Sequence, residues 1–193
     1  MKLAEKLRFV GKILSYTVSH YADQWHVSVQ VELQDDPRPQ PQPNSTVGVD
    51  VGLLHVAVAS DGTTCDAPEK LKHLERKLKA RQRALSRSQR NSKNYQKKLL
   101  KKQKVQQKID NIRKDVTHKF TSTLCKNHAK VVTEDLNIKG MMERAQWRSM
   151  RRSLNHSMMG MILQQIAYKA IIHQKVDRYF PSSKTCSKCG HKK

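Results

Sequence analysis

The sequence predicts an α/β fold in which a strongly basic helical segment interrupts a set of short strands. Three observations carry this prediction. Two segments, residues 9–33 and 46–59, alternate apolar and polar residues with the period of two expected of half-buried strands. Residues 69–128 place apolar side chains at helical spacing within a dense run of Lys and Arg. Beyond them a short apolar run ends in two carboxylates, and further helix-like and strand-like segments follow.

Taken in order, residues 9–33 read as strand, turn, strand. Ile13, Tyr16 and Val18 lie in the first run. Trp25, Val27, Val29, Val31 and Leu33 alternate with His26, Ser28, Gln30 and Glu32, and His20-Tyr21-Ala22-Asp23 form the turn. Residues 35–45 carry Pro37, Pro39, Pro41 and Pro43, which favour an extended, semi-rigid linker and mark a domain boundary. Val47, Val49 and Val51 then alternate around Asp50, and Val56–Ala59 form a second run closed by Asp61-Gly62, which together predict a hairpin. Leu71, Leu74, Leu78 and Leu85, then Val105, Ile109, Ile112, Val116, Phe120 and Leu124, predict two helices joined near Ser86–Asn94. They share a narrow apolar seam and present a basic exterior. Ala129–Leu136 reads as a short strand. Residues 156–174 read as a helix through Met158, Ile162, Ile166 and Ala170, and Val176–Phe180 as a last strand before Pro181.

The charge narrows the function. The chain has 193 residues with 38 Lys+Arg against 16 Asp+Glu, a net charge of +22. Such an excess repels itself in a compact state and calls for a polyanionic partner. Nucleic acid is preferred over a membrane, because no apolar run approaches the roughly 18 residues of a spanning helix. The N-terminal segment is too charged for a secretory signal. Of the four cysteines, Cys65 and Cys125 are isolated and expected to be buried and neutral. Cys186 and Cys189 form a C-x-x-C. These features point to a reducing cytoplasm, with association to the nucleoid, rather than to a disulfide framework.

Two acids stand out. Asp50 lies mid-strand between Gly48 and Gly52, which permit close approach of a backbone or a phosphate. Glu134 lies at the end of an apolar strand. Taken singly, Asp50 reads first as a solvated turn or edge residue, a reading the glycines weaken, and Glu134 as a helix-capping acid. Taken together, carboxylates from separate strands can converge on Mg²⁺, a hard cation that prefers oxygen, and two such ions support phosphodiester hydrolysis. Residues 69–119 hold 19 Lys+Arg and 4 acids, too unbalanced for a salt-bridged surface. Arg76, Lys77, Arg81, Arg83, Arg87, Arg90, Lys97, Lys98, Lys101, Lys102 and Lys104 are therefore candidates for sequence-independent phosphate contact. Arg148 and Arg151 join them, near Arg144 and Arg152. Trp147 reads either as a base-stacking residue or as core.

These segments carry a family resemblance. GVDVGLLHVAVASDG, around Asp50, resembles the first RuvC motif of the transposon-encoded TnpB (OrfB) family. VVTEDLNIKGM, around Glu134, resembles the second, and YFPSSKTCSKCGHKK the segment leading into its zinc ribbon. They occur in the family's order, with the basic hairpin between the first two, and the resemblance covers about residues 9–193. It implies an RNase H-like nuclease core over residues 46–180 with a helical insertion at 69–128. Strands of a β-barrel-like wedge domain would precede it over residues 1–34, and a first zinc knuckle would follow over 181–193. It further implies a DNA endonuclease directed by a guide RNA from the transposon end, historically described as a transposase. Asp50 would be the first Mg²⁺-binding acid and Glu134 the second, with Asp135 facing the other side of its strand.

The family's third acid follows the zinc ribbon, and the sequence ends at Lys193 before such a motif. Cys186 and Cys189 would supply two Zn²⁺ ligands, His191 being a candidate third. A closed site needs four, so a second chain or another partner would complete it. The expectation is a nucleic-acid-binding fragment with impaired cleavage. An inactive RNA- or DNA-binding protein, or an inert transposon remnant, are the alternatives.

Overall fold

A computed structural model describes residues 5–7, 9–35, 38 and 45–177. The predicted zinc knuckle, with Cys186, Cys189 and His191, lies outside the described residues, as do residues 178–180 of the strand expected over 176–180. The chain divides into two compact units, the first formed by described residues of 1–38 with Pro68–Ile112, the second by those of 39–67 with residues from Arg113 onward.

In the first unit, β1 (Lys12–Tyr21) pairs antiparallel with β2 (Gln24–Glu32), with a bulge between Ile13 and Ser15. The turn is tighter than the sequence suggests, because His20 and Tyr21 stay in the ladder and only Ala22-Asp23 turns. The strict alternation sorts the two faces. Tyr16, Val18 and His20 lie opposite Val29, Val27 and Trp25, while Ser15, Thr17 and Ser19 lie opposite Gln30, Ser28 and His26. α1 (Glu69–Ser86) and the first part of α2 (Lys93–Asn127) complete the unit. Their seam is the predicted one: Leu71, Leu78, Val105 and Ile109 are buried. Asn91, in the connection, takes a positive φ of 65°, a conformation Asn tolerates better than most residues.

The second unit is built on a five-stranded mixed sheet in the order β5-β4-β3-β6-β7. β3 (Thr46–Val51) pairs antiparallel with β4 (Ala57–Ala59), and β4 with β5 (Thr64–Cys65). Gly62, with φ of 88°, makes the predicted turn after Asp61. On its other side β3 pairs parallel with β6 (Lys130–Glu134), and β6 pairs parallel with β7 (Ile172–Val176). Parallel neighbours require crossover connections. The basic helices lie in the first. The second contains α3 (Ile138–Arg144), α4 (Arg148–His156) and α5 (Met159–Lys169).

One face of this sheet is apolar and buried, with Val47, Val49, Val51, Ala57, Ala59 and Val131, and the core also contains Phe120 and Leu124 of α2 and Met159, Ile162 and Ile166 of α5. Cys65 and Cys125 are buried and free, as expected for small apolar residues. The buried polar side chains around α5 are hydrogen-bonded. The Gln165 amide donates to Thr117 Oγ1 at 2.9 Å, and Thr121 Oγ1 donates to Gln165 Oε1 at 2.9 Å. Lys169 Nζ donates to Thr121 Oγ1 at 2.7 Å and to Ser122 Oγ at 2.9 Å.

The C-terminal elements differ from the sequence reading. The helix expected over 156–174 runs only from Met159 to Lys169, because His156 closes α4, and a strand, β7, already occupies Ile172–Val176, meeting the one expected over 176–180 only at Val176. The apolar i, i+4 series does end at Ala170, which caps α5 in extended conformation. Ile171 and Ile172 are β-branched residues that favour a strand once one is available to pair with, and β6 provides it in the register Lys130↔Ile172.

Two outcomes follow for stability. Ile166 is fully buried, so Ile166→Ala should lower the unfolding free energy by about 2–5 kcal/mol. Exposed Gln164→Ala on the same helix should change it by less than about 0.5 kcal/mol. Urea titrations of the two variants check this. Burial, and then the charge of Lys175, hold His173 below its ordinary pKa of 6.5. The unfolded chain therefore binds this proton more readily, and stability falls as pH drops through about 6.5. His118 is lowered in the same direction by burial and by Lys169 and Lys114. His173→Gln should flatten the slope between about pH 7 and pH 5, and His118→Gln/His173→Gln flatten it further. Denaturation midpoints against pH measure it.

Candidate carboxylate edge and nucleic-acid interface

The register of the parallel pair places the two acids. Val47 pairs with Val131 and Val49 with Thr133. Asp50 and Glu134 are each the next residue, so they occupy corresponding positions on neighbouring strands, roughly 4.8 Å apart in the pairing direction. Side chains alternate between faces. Val49 and Thr133 are buried on one face, so Asp50 and Glu134 share the other, at the C-terminal ends of their strands. Asp50 is exposed and Glu134 half-buried. The cost of a buried, unpaired carboxylate at Asp50 therefore does not arise, because water reaches it.

The surroundings leave room above the acids. Gly48 shares the face of Asp50 two residues away. A Cβ built there would meet only Ser60 Oγ, at 3.9 Å. The chain's own packing thus does not require glycine at this position. The Gly48 amide donates to Ser60 Oγ at 3.0 Å, which ties the strand to the turn after β4. Gly52 is different: a Cβ there would approach His55 O at 3.2 Å, so a side chain would require the loop after β3 to give by a few tenths of an ångström. Asp135 lies beyond the end of β6. Lys175 Nζ lies 3.3 Å from its carboxylate, and its amide donates to Val176 O at 3.0 Å. Among the described residues no cluster of three or more His, Cys, Asp and Glu side chains could hold a metal ion. Asp50 and Glu134 are thus two oxygen-donating groups on one open face. They suit part of the shell of a hard divalent cation.

The predicted basic residues divide. Lys77 and Arg81 of α1, with Lys101 and Lys104 of α2, line a cleft of about 240 Å³ within the first unit. Lys108 also lines it, and Leu74 and Val105 are its apolar members. The sequence reading missed Lys108. Helical spacing was the available signal, since Lys101, Lys104 and Lys108 stand at i, i+3 and i+7 on one face. Lys104 Nζ also meets the Asp23 carboxylate at 2.6 Å, and this contact, foremost, holds Asp23 below its ordinary pKa. The remaining candidates lie outside this cleft. Arg76, Arg83, Arg87, Arg90 and Lys97 are exposed, and Lys98 and Lys102 half-buried. Lys98 Nζ donates to Ser88 Oγ at 2.7 Å.

Arg148 and Arg151 are exposed on α4, and Trp147, at its N-cap, is 71% exposed, which settles its two readings against the core. Arg151 lines a second cleft, of about 530 Å³, with Lys139, Met142 and Glu143. No helix among the described residues is long and apolar enough to cross a membrane.

A five-stranded mixed sheet of this order, with two acids at the C-terminal ends of neighbouring central strands and a large basic helical insertion, defines a class of mixed α/β protein. The solved structure titled "Cryo-EM structure of the Cas12f1-sgRNA-target DNA complex" bears on the fold. Its matching chain is similar with a TM-score of 0.52 and 19% identity, over 88% of this chain and 35% of that one. The family model OrfB_IS605, described as "Probable transposase", matches residues 27–145. The chain belongs to this family, the OrfB or TnpB proteins. "Putative RNA-guided DNA endonuclease InsQ" of Escherichia coli (strain K12) is 32% identical over 99% of this chain and 51% of its own length. A Mycobacterium tuberculosis protein whose name carries the same activity is 31% identical over 94% of this chain and 42% of its own. The chain thus spans about half the length of the curated relatives it matches.

The convergence of the cleft cations gives a measurable outcome. Replacing Lys77, Arg81, Lys101 and Lys108 by Gln should weaken binding to single-stranded RNA or DNA. It should also reduce the slope of log K against log salt by about 0.7 for each phosphate that the variant no longer neutralises. Replacing Arg76, Arg83, Arg87 and Lys97 should have a smaller effect on both. Binding isotherms across a KCl series separate the two sets.

Proposed function

We propose that this chain is a nucleic-acid-binding member of the OrfB family that contributes to DNA cleavage directed by a guide RNA. The two basic surfaces hold phosphodiester backbones, and the β3–β6 edge presents Asp50 and Glu134 to the strand to be cut. The placement of these acids on one open face carries the reading. The names of the relatives and of the Cas12f1 complex supply the partners, a guide RNA and a target DNA.

Asp50 and Glu134 would hold Mg²⁺ through carboxylate oxygens. The ion, when bound, would activate water and stabilise the leaving oxygen. The chain's own part is positional. The parallel pairing fixes the spacing of the two acids, and Gly48 leaves a path for a phosphate beside Asp50. Two carboxylates supply only a fraction of the six oxygens Mg²⁺ prefers. Water and phosphate oxygens of the bound strand would fill the remaining positions, so retention of the ion would depend on that strand, while nucleic-acid binding stands apart on the charge of the helices. The Cys186-x-x-Cys189 pair would add a zinc site when a further chain or segment supplies the missing ligands.

Asp50→Asn and Glu134→Gln should each abolish Mg²⁺-dependent cutting of guide-matched DNA, measured with this chain together with any partner segment that completes the site. RNA affinity in EDTA should stay within about twofold, because without metal the binding rests on the cations of the helices. Gly48→Ala should leave the melting temperature equal or higher, given the space for a Cβ and the lower conformational entropy of the unfolded chain. It should still depress cutting like the acid variants. Undiminished cleavage by Asp50→Asn would refute the assignment.

A further inference from the structure

The segment after Glu134 holds a feature that the carboxylate edge does not use. α3 starts four residues beyond Glu134, so its first Cα lies within about 14 Å of that of Glu134 by chain length alone. α3 and α4 together carry Lys139, Arg144, Arg148, Arg151 and Arg152 against one acid, Glu143. Lys139 and Arg151 line the cleft of about 530 Å³. Between the two helices stands Trp147, 71% exposed. The chain's other tryptophan, Trp25, rests against His20 with ring centroids 4.7 Å apart. Trp147 makes no such ring contact among the described residues.

The electrostatics of α4 are unfavourable as they stand. Its first turn holds no acid and begins with Arg148, with Arg151 and Arg152 just beyond. Cations are disfavoured at the positive end of a helix dipole, so this helix start is arranged for an anion rather than for itself. An exposed indole beside a guanidinium cluster matches the combination by which proteins hold unpaired nucleotides, a π-face for the base and cations for the backbone. A duplex would offer its phosphates to the cations but would hide its bases from the ring.

We propose that Trp147, with Arg148 and Arg151, forms a stacking clamp for an unpaired nucleotide of a single-stranded polynucleotide, on the crossover that follows Glu134. The clamp rests on the nucleic-acid reading above but not on catalysis, so it can be tested without metal. Trp25→Phe leaves Trp147 as the only indole of the full chain. In EDTA, titration with a 15-nucleotide single strand, as DNA and as RNA, should quench its fluorescence in step with the anisotropy of the labelled strand. Quenching by DNA alone or by RNA alone supports the clamp and identifies its strand. In the wild-type background Trp147→Ala should weaken single-strand binding by about fivefold to a hundredfold. It should leave affinity for a duplex of the same length within about twofold. Arg148→Gln/Arg151→Gln should weaken both. Asp50→Asn should leave the quenching intact, so a failed cleavage assignment is distinguishable from a failed clamp. Binding without quenching, equal single-strand affinity of Trp147→Ala, or absence of single-strand binding would each overturn it.

Discussion

The parallel pairing of β3 with β6 is the constraint on which the rest of the second unit depends. It joins strands separated in sequence by residues 52–129 and alone puts Asp50 beside Glu134. A register slip of one residue would turn every side chain of β6 to the opposite face. It would exchange Glu134 for Asp135, whose carboxylate lies by Lys175. The register is secured where the strands enter. Ser45 O accepts from Lys130 N at 3.0 Å, Ser45 Oγ accepts from Ala129 N at 3.0 Å, and the same hydroxyl donates to Asn127 O at 3.2 Å. One serine thus reads the end of α2 and the start of β6 together. At the other side, buried Thr133 and His173 Nε2 share a hydrogen bond of 2.9 Å that ties β6 to β7.

The long helical insertion costs this pairing little. Loop-closure entropy grows only logarithmically, by about 0.6 kcal/mol for each doubling of length. Burial of Val47, Val49 and Val131 offsets it at about 1.5–3 kcal/mol for each fully buried side chain. The insertion is therefore free to carry charge that a sheet could not. Lys119–Asp115, with both side chains more than half exposed, is an i, i+4 pair worth at most about 0.5 kcal/mol. Such contacts cannot neutralise an excess of +22, which is why the charge speaks of a partner rather than of stability.

Local patterns were legible in the sequence, and relations between distant segments were not. The β1–β2 alternation, the β3–β4 hairpin, the helical seam through Leu71, Leu78, Val105 and Ile109, and the burial of Cys65 and Cys125 all follow from period and composition. Asp50 and Glu134 could be singled out as acids among β-formers, but that they share a face depends on register, which no local pattern encodes. The end of α5 was misplaced because apolar periodicity alone does not separate a helix from an adjoining β-branched strand. Trp147 was undecidable, since the residue types around a tryptophan do not say whether its ring meets solvent. Lys108 was overlooked because its alignment with Lys101 and Lys104 matters only once α1 supplies the opposite wall of the cleft.

The closeness of the acid pair has an energetic consequence in the proposed reading. Two carboxylates one strand spacing apart repel by about 0.9 kcal/mol in water, and by several times that where the effective dielectric constant is near 20. With Asp50 exposed and Glu134 half-buried, the repulsion lies between these figures, so the two acids can stand side by side at modest cost. The same openness weakens the hold on a cation, because water competes for it and screens it. A phosphate laid across the edge changes both effects. It displaces water and adds oxygen ligands, so metal and strand favour one another by linkage. The cations that would hold the strand belong to α1, α2 and α4, not to the ends of β3 and β6 where the carboxylates stand. In the proposed reading, affinity for the polynucleotide would therefore follow helix charge while metal binding would follow the carboxylates of β3 and β6, two sets of residues in one chain.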